Sequence, residues 1–228
     1  MQTTCLSSLE EAIAALRNGS FVLVHDDKGR EDEIDMVIAA EYVTPRHVAI
    51  LRNEAGGLLC VAISNEITVK LGLVYMQEIM QSMSKINPMF SKLSLGKSPY
   101  GDNPSFSIAV NHRDTYTGIT DTDRALTISR IAEVCKKIDS GGIEEFANKF
   151  RAPGHVPILI ASKGLLQRRM GHTELCVYLA QKAGLIPVVA ICEMLDSITY
   201  RALSKSKAKR YADEAAIPLL EASQLKNS

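Results

Sequence analysis

The sequence lacks any apolar run that approaches the ~20 residues a membrane-spanning helix needs. It also lacks the basic region followed by an apolar stretch that marks a signal peptide. Neither sign of charge is in excess, because lysine plus arginine and aspartate plus glutamate number 26 each. Bulk attraction to nucleic acid or to an anionic membrane is therefore not expected. These absences predict a cytoplasmic protein that binds neither membranes nor nucleic acid.

The cysteines show no spacing typical of a redox pair or a structural metal site. There are five of them, an odd number, and no C-x-x-C motif. They are predicted to be reduced, mostly buried thiols of an intracellular protein. Internal repeats, low-complexity tracts and a linker are also lacking, and 46% of the residues are hydrophobic, which suffices for a large core. We therefore expect a single domain, residues 1–228.

Apolar runs typical of short buried strands alternate with stretches of helical periodicity, and this alternation implies a layered α/β or α+β fold. Strands are predicted in FVLVH, DMVIAAEYV, LLCVAI, SFSIAVNH, VPILIA, IPVVAICE and IPLLEA. Helices are predicted at 7–19, 45–56, just after Ser64, and at 122–137, 172–183 and 202–215. Residues 75–103 are rich in Met, Ser, Lys, Gly and Pro without a clear period, so a mobile loop is predicted there.

The segment HDDKGREDEID, residues 25–35, holds six acidic side chains in eleven positions where an apolar strand ends. If residues 31–35 are extended, Glu31, Glu33 and Asp35 project to one face, because side chains alternate along a strand. Three carboxylates on one face repel one another unless a cation or a set of substrate hydroxyls separates them. The segment indicates a divalent-metal site, a polyol site or both, with a solvated acidic turn as the alternative.

The segment LLQRRMGHTE, residues 165–174, indicates an anion site at the start of a helix. Thr173 and the free amides of the first helical turn can receive a phosphate, and Arg168 or Arg169 can supply positive charge. His172 lies at the same helix start, where it could reach a metal or a substrate oxygen. A simple surface histidine is an equal alternative.

In FRAPGHVPILI, residues 150–160, Pro153-Gly154 predicts a turn just before a strand. This turn would place His155 at the edge of the strand. There it could act as an acid or base in a cleft, or it could only hydrogen-bond a loop.

Two more positions carry candidate residues. Glu193 ends the apolar strand IPVVAICE, where a carboxylate is a candidate for proton transfer. The loop DTYTGITDTDR, residues 114–124, contains Thr115 and Thr117, either of which could bind phosphate. Helix capping, however, explains most of that loop.

Five of these segments, in this order, resemble motifs of the 3,4-dihydroxy-2-butanone-4-phosphate synthase family of riboflavin biosynthesis. They are DDKGREDEID, TGITDTDR, RAPGHV, RRMGHTE and ICE. The resemblance is to the stand-alone form, without a second, cyclohydrolase-like half. It implies a Mg²⁺-dependent conversion of D-ribulose 5-phosphate to L-3,4-dihydroxy-2-butanone 4-phosphate and formate. The implied fold is an α+β, three-layer α/β/α arrangement with a mixed sheet.

The resemblance also implies roles for individual residues. Glu31 and His172 would be protein ligands of the metal, with two ions per site, and His155 and Glu193 would be catalytic. The residues implied to bind the sugar phosphate are Arg30, Glu31, Asp35, Arg169, Met170, Gly171, His172, Thr173 and Glu193. Family members form homodimers with active sites near the subunit boundary, and we expect the partner subunit to supply His155.

Ligand chemistry alone leaves the metal open, since a histidine ligand would also suit Mn²⁺ or Zn²⁺. Two other functions stay open as well. A metal-dependent sugar-phosphate isomerase or aldolase could use the same residues but would release no formate. A non-catalytic protein could bind phosphorylated ligands or RNA through SKSKAKRY, residues 204–211, which the balanced charge disfavours. Residues 75–103 are expected to close over a substrate.

Overall fold

Strands and helices alternate along the chain in a computed structural model that describes residues 7–94, 96 and 98–226. The strands are β1 (Val22–His25), β2 (Ile34–Ala39), β3 (Cys60–Ile63), β4 (Phe106–His112), β5 (Phe150–Ile160), β6 (Val188–Glu193), β7 (Leu195–Asp196), β8 (Arg201–Ala202) and β9 (Leu219–Glu221). The helices are α1 (Leu9–Arg17), α2 (Pro45–Ile50), α3 (Asn65–Lys70), α4 (Met76–Met83), α5 (Met89–Leu93), α6 (Asp121–Lys136), α7 (Gly142–Lys149), α8 (His172–Lys182), α9 (Lys205–Ala215) and α10 (Ala222–Lys226). A π-helical segment, Leu51–Ala55, continues α2.

Seven strands form one mixed sheet in the order β4-β5-β3-β6-β2-β1-β9. The pairs β1–β9 and β3–β5 are parallel, and the other four neighbouring pairs are antiparallel. Strands β7 and β8 pair separately as a short hairpin. The predicted mixed sheet is therefore confirmed.

Helices cover both faces of this sheet, and successive residues of a strand pack alternately into two different hydrophobic cores. Met36 of β2 packs in the cluster that includes Ile128 of α6, whereas Val37 packs in the cluster that includes Leu175 of α8. These side chains are fully buried, and each contributes about 1.5–3 kcal/mol of hydrophobic stabilisation. The result is the three-layer α/β/α arrangement that the family resemblance implied. We refer below to the α6 face and the α8 face.

Polar caps begin several helices where the sequence predicts them. Ser8 and Glu11 form a complete capping box at α1, and the hydroxyl of Thr120 accepts the amide of Asp123 at α6. Helix α8 begins at His172, as predicted, three residues after Arg169. Helix α9 begins at Lys205, later than the predicted residue 202, because residues 201–202 pair in the β7–β8 hairpin.

The predicted irregular structure between residues 75 and 103 is wrong in part, because α4 and α5 lie there. Neither helix has a buried residue. Met76, Ile79, Met80 and Met83 of α4 do recur at helical spacing, but α4 has only eight residues and α5 only five, so the pattern is too short to distinguish a helix from a loop.

The predicted turn at Pro153-Gly154 is also wrong, since both residues lie inside the long strand β5. The register between β4 and β5 shifts there, from Val110 opposite Val156 to Asn111 opposite Arg151. The extra residues form a bulge instead of reversing the chain. A Cβ atom on Gly154 would lie 2.0 Å from the carbonyl carbon of Val110, so glycine permits this close approach.

Cys60, Cys135, Cys176 and Cys192 are free and buried, as predicted, and Cys5 lies outside the described residues. Within the described ranges, no helix combines the length and apolar character required to cross a membrane.

Candidate active site

Most of the predicted site residues line one cavity of about 220 Å³ on the α8 face, between the β1–β2 hairpin, β6 and the start of α8. The predicted residues that line it are Arg30, Glu31, Asp35, Arg169, His172, Thr173 and Glu193. They come from three separate parts of the chain, so the fold brings the acidic segment, the arginine-rich segment and Glu193 together.

The sheet itself places Asp35 beside Glu193. The two residues are directly opposite each other on the antiparallel strands β2 and β6, which brings their Cβ atoms within about 5.5 Å on the same face. Oε2 of Glu193 accepts a hydrogen bond from the amide of Leu58 at 2.7 Å. A Cβ atom on the neighbouring Gly57 would lie 2.5 Å from that same oxygen, so glycine is required there.

The acidic segment is a hairpin that is folded around the buried side chain of Asp26. This carboxylate accepts hydrogen bonds from the amides of Glu31 and Glu33 and from the guanidinium group of Arg30, at 3.0–3.2 Å. Residues 31–33 are therefore not extended, and β2 begins only at Ile34. The prediction that Glu31, Glu33 and Asp35 share one face of an extended strand is therefore wrong for residues 31–33. The acidic residues nevertheless come close together.

The acidic residues of the hairpin and of β2 come together at the imidazole ring of His172. Its Nδ1 lies 3.1 Å from Oε2 of Glu31, and its Nε2 lies 3.1 Å from the carbonyl oxygen of Glu33 and 3.8 Å from Oδ1 of Asp35. Oxygens that only accept hydrogen bonds face both ring nitrogens, so both nitrogens donate. Burial lowers the pKa of His172, but the charges of Asp35 and Glu31 outweigh burial and raise it to about 9. The ring is an imidazolium in this arrangement.

Burial and neighbouring charges shift the pKa values of Glu31 and Asp35 in opposite directions. Burial alone would raise the pKa of Glu31, yet hydrogen bonds from His172 and Tyr100 and the charge of Arg30 hold it at about 2. Asp35 lacks such donors, and burial together with the charge of Glu193 raises its pKa to about 7, although His172 opposes the shift. Environments that separate the pKa values of two carboxyl groups are typical of acid–base sites.

Several features of this cluster suit a divalent cation. Ligand atoms of Asp26, Glu31 and His172 lie within 4.8 Å of one another. In the described part of the chain, Oδ1 of Asp35 is buried without a hydrogen-bond partner, although buried polar atoms are nearly always paired. The carboxylates here also outnumber the two cationic side chains, Arg30 and His172. Oxygen-rich, net-negative sites of this kind fit Mg²⁺ or Mn²⁺.

The other end of the cavity is cationic, and Arg169 is its main group. Arg169 pairs at 2.8 Å with Glu174, whose side chain is fully buried, and donates to the hydroxyl of Ser105 at 2.6 Å. Arg169 and Arg30 both donate from Nε to the same oxygen of Asp102, at 3.2 and 3.1 Å. Asp102 thus joins the two arginines that face the cavity.

The two neighbouring arginines of the RRMGHTE segment differ in exposure and in the cavities that they line. Arg169 lines both the 220 Å³ cavity and an adjoining cavity of about 460 Å³, whereas Arg168 is exposed and lines only the larger one. A Cβ atom on Gly171 would lie 2.8 Å from Nη2 of Arg30, so the glycine lets this guanidinium group approach the start of α8. Arg169 is the better placed of the two to hold an anion in the smaller cavity.

Three predicted site residues, Met170, Gly171 and His155, do not line the cavity. Met170 is partly buried and packs against the core on the α8 face. His155 is exposed on the β5 bulge, where its amide donates to Oδ1 of Asn111 at 2.8 Å and its Nδ1 lies 3.1 Å from Nδ2 of the same residue. His155 therefore lies apart from the other predicted site residues in the single chain.

The loop of residues 114–124 is organised by Asp123. Its carboxylate accepts hydrogen bonds from the amides of Tyr116, Thr117 and Gly118 at 2.8–3.3 Å, and Thr115 donates its hydroxyl to a main-chain carbonyl group. Capping chemistry thus accounts for the loop, and neither threonine lines the cavity.

Two further residues that no sequence motif marks lie at the site: Tyr100 lines the smaller cavity, and Asp102 lines the larger adjoining one. The ring of Tyr100 stacks 4.6 Å from the guanidinium carbon of Arg30, and its hydroxyl hydrogen-bonds Glu31. Both residues lie in the segment without clear periodicity, and only their neighbours Gly101 and Pro104 mark a turn. Asp26 belongs to the predicted acidic segment but was not assigned a role.

Comparison with known proteins gives a consistent result. A family model described as 3,4-dihydroxy-2-butanone 4-phosphate synthase matches residues 10–228. The 3,4-dihydroxy-2-butanone 4-phosphate synthase of Methanothermobacter thermautotrophicus is 46% identical over 217 residues, which are 95% of this chain and 93% of that protein. The synthase of Archaeoglobus fulgidus is 47% identical over 213 residues, 93% and 90% of the two chains. A crystal structure of such a synthase in complex with two magnesium ions superposes with a TM-score of 0.75 and 28% identity, and covers 96% of this chain and 95% of that one.

Proposed function

Because the chain belongs to the 3,4-dihydroxy-2-butanone 4-phosphate synthase family, we propose that it is a lyase of riboflavin biosynthesis. It would convert D-ribulose 5-phosphate to L-3,4-dihydroxy-2-butanone 4-phosphate and formate. The two products together contain all atoms of the substrate, so no co-reactant is needed. The observation that carries the proposal is the contact of Glu31 with His172 at 3.1 Å beside an arginine-lined cavity.

We assign Glu31 and His172 as protein ligands of Mg²⁺, with two ions per site and Mn²⁺ as an alternative. The ligand-atom cluster of Asp26, Glu31 and His172 and the two magnesium ions of the related synthase structure support this assignment. When bound, a divalent cation polarises substrate oxygens and stabilises the negative charge that develops on them. The buried carboxyl group of Asp35 and the guanidinium group of Arg30 would bind substrate hydroxyls.

The phosphate group of the substrate would bind at the cationic end, to Arg169, Thr173 and the amides at Gly171 and His172. When the phosphate is held in place, the reacting carbons of the flexible sugar stay aligned with the carboxylates of the site. Nε of Arg169 donates a hydrogen bond to the carboxylate of Asp102. A phosphate that binds Arg169 would have to share this donor with Asp102 or replace Asp102 there. Met170 would contribute through packing next to this position.

Proton transfer is assigned to Glu193 and His155. The reaction removes a proton beside a ketone, expels a hydroxyl group, rearranges the carbon skeleton and releases a one-carbon acid. The amide of Leu58 orients the Glu193 carboxylate toward the cavity, so that it can accept or return protons on the α8 face. A histidine on the other side of the substrate would allow one group to accept while the other donates.

His155 would reach the cavity from a partner subunit, so we propose a homodimer with active sites near the subunit boundary. Tyr116 and Ile119, in the loop next to His155, support this proposal because they are 93% and 51% exposed. Asn111 links that loop to His155, since it packs against Gly118 and hydrogen-bonds the histidine. We also propose that residues 1–228 form one domain and that the protein acts in the cytoplasm.

Formate is the product that tests the function. The chain is incubated with ribulose 5-phosphate and Mg²⁺, and formate and the four-carbon phosphate are measured with and without a chelator. We expect both products in equal amounts and neither after chelation. Loss of ribulose 5-phosphate to another pentose phosphate or to two smaller carbonyl compounds, without formate, would instead identify an isomerase or an aldolase.

A further inference from the structure

The hairpin that carries Glu31 is held from the α6 face of the sheet by a histidine that the proposed reaction does not use. His25 ends β1, is 2% exposed, and lies on the opposite face from Asp26 because neighbouring side chains alternate. Its Nδ1 lies 2.8 Å from Oε2 of Glu221, and its Nε2 lies 3.0 Å from Oδ1 of Asp32. Glu221 also pairs with Lys205 at 2.6 Å. A continuous set of polar contacts therefore joins the start of α9 to the residue that follows Glu31.

Asp32 has an unusual backbone conformation at this position. Its φ is +54°, in the left-handed region that residues other than glycine rarely adopt. The residue on its N-terminal side, Glu31, presents a carboxylate to Nδ1 of His172, and the residue on its C-terminal side, Glu33, presents a carbonyl oxygen to Nε2. A change in the conformation of Asp32 would move both oxygens away from the imidazole ring.

The hairpin therefore has two anchors that act on different residues. Asp26 holds the amides of Glu31 and Glu33 from the α8 face. The side chain of Asp32 is 52% exposed, and its contact with the buried ring of His25 holds it from the α6 face. If Asp26 alone held the hairpin, the amides of Glu31 and Glu33 would stay in place, but the peptide groups on either side of Asp32 could rotate.

We propose that His25 is a positioning residue for the metal site, because it keeps Asp32 in the left-handed conformation that directs the Glu31 carboxylate toward His172. This inference rests on the proposed function, of which a cation bound at Glu31 and His172 is a part. His25 touches neither the cavity nor His172, so its effect passes through Asp32.

The test measures Mn²⁺ affinity by the loss of the free-ion paramagnetic resonance signal, without substrate. His25→Leu and Asp32→Ala should each weaken Mn²⁺ binding about 10-fold, the effect typical of removing a residue that orients a metal ligand. The double variant should bind no more weakly than either single variant, because both remove the same contact. Asp32→Asn should retain affinity, since asparagine tolerates the left-handed region and its side-chain oxygen can accept from His25.

Two features of the variants separate positioning from folding. His25→Leu leaves Glu221 paired with Lys205, so no buried carboxylate loses all its partners. Asp32 is at the surface, so Asp32→Ala does not threaten the core. Lys205→Met is the matched control, because it breaks the same set of contacts at its far end without touching Asp32, and Mn²⁺ affinity should stay within twofold of that of the unchanged chain.

The outcomes distinguish this inference from the proposed function. If the unchanged chain binds Mn²⁺ and releases formate while His25→Leu and Asp32→Ala bind Mn²⁺ equally well, the role of His25 is overturned and the function stands. Effects of the two variants that simply add in the double variant would overturn it as well. If the unchanged chain neither binds Mn²⁺ nor releases formate, the proposed function fails and the role of His25 fails with it.

Discussion

Oε2 of Glu31 lies 3.1 Å from Nδ1 of His172, although 141 positions separate the two residues in the chain. The hairpin between β1 and β2 supplies the carboxylate, and the first residue of α8 supplies the ring. Both side chains lie on the α8 face of the sheet, beside Asp35. This contact joins the acidic half of the site to its cationic half.

Glu31→Gln should abolish formate release while leaving the fold intact. The amide oxygen of glutamine can still accept from His172, but the negative charge that attracts a cation is lost. We expect turnover to fall at least about 100-fold, as when a group that stabilises developing charge is removed. Formate release and the circular dichroism spectrum measure the two effects. Near-normal turnover would show that Glu31 is not a metal ligand.

Cation binding should release a proton from the apo protein. The raised pKa of His172, about 9, means that the ring is protonated at neutral pH and must lose its proton before it can act as a ligand. Affinity should therefore rise with pH up to about 9, by up to about tenfold per unit. Calorimetric titrations with Mn²⁺ in buffers of different ionisation enthalpy count the released protons. Affinity that does not change between about pH 6 and 8 would contradict the assignment of His172 as a ligand.

Glu193→Gln should lose turnover with the substrate still bound. Oε2 of Glu193 accepts from the amide of Leu58, and the oxygen of a glutamine side chain can keep that bond. The variant therefore removes proton transfer but little else, and we expect kcat to fall about 10²–10⁴-fold with little change in KM. A rise in KM at unchanged kcat would assign Glu193 to binding instead.

Arg169→Lys should mainly raise KM for the sugar phosphate, by about 10-fold or more, because lysine cannot make the two-pronged contact of a guanidinium group. Lysine is preferable to alanine here, since it leaves a positive charge beside the buried carboxylate of Glu174. Arg168→Ala is the matched control and should leave KM nearly unchanged. The reverse pattern in steady-state kinetics would make Arg168 the phosphate-binding group.

Asp123→Asn should lower the free energy of unfolding by about 2 kcal/mol at neutral pH, because its charge-assisted hydrogen bonds hold the 116–118 loop. The amide of Gly118 is the main reason that the pKa of Asp123 is lowered in the folded chain. A lowered pKa means that this stability is present above the pKa of the unfolded chain and is lost as pH falls through the folded value.

Urea unfolding at pH 7 and at about pH 3 measures this difference for Asp123→Asn. The variant should lose stability at pH 7 and differ less from the unchanged chain in acid. Asp114→Asn is the control, since that side chain is 81% exposed and should change stability by less than about 0.5 kcal/mol. Equal losses at both pH values would contradict the role of the ionised carboxylate.

Local patterns predicted the elements whose signals are local. Capping residues such as Ser8 and Thr120 mark real helix starts, and the apolar runs of β1, β2, β3 and β6 are buried in the sheet. The α/β/α layering follows from those elements because each strand has two apolar faces to cover. The ordered motifs also identified the residues that meet at the cavity, although spacing alone could not bring Glu31 to His172.

Other features depend on contacts between distant parts of the chain. Pro153-Gly154 is a turn signal by local rules, but pairing with β4 keeps these residues within a strand. Asp102 belongs to the site only because Arg30 and Arg169 approach it from two directions. His155 follows its motif, yet in the single chain it lies outside the cavity, and no local pattern predicts that separation.

The bond from Leu58 to Glu193 uses a main-chain amide, and this affects how the site tolerates genetic change. The side chain of Leu58 is half exposed, so most replacements at this codon keep the same donor in place. Among the encoded amino acids, proline alone lacks it. Saturation mutagenesis at position 58 should therefore give a flat activity profile with a single deep loss at proline. A comparison of side chains across relatives would miss this position, because the chemistry that it contributes is shared by nineteen residue types.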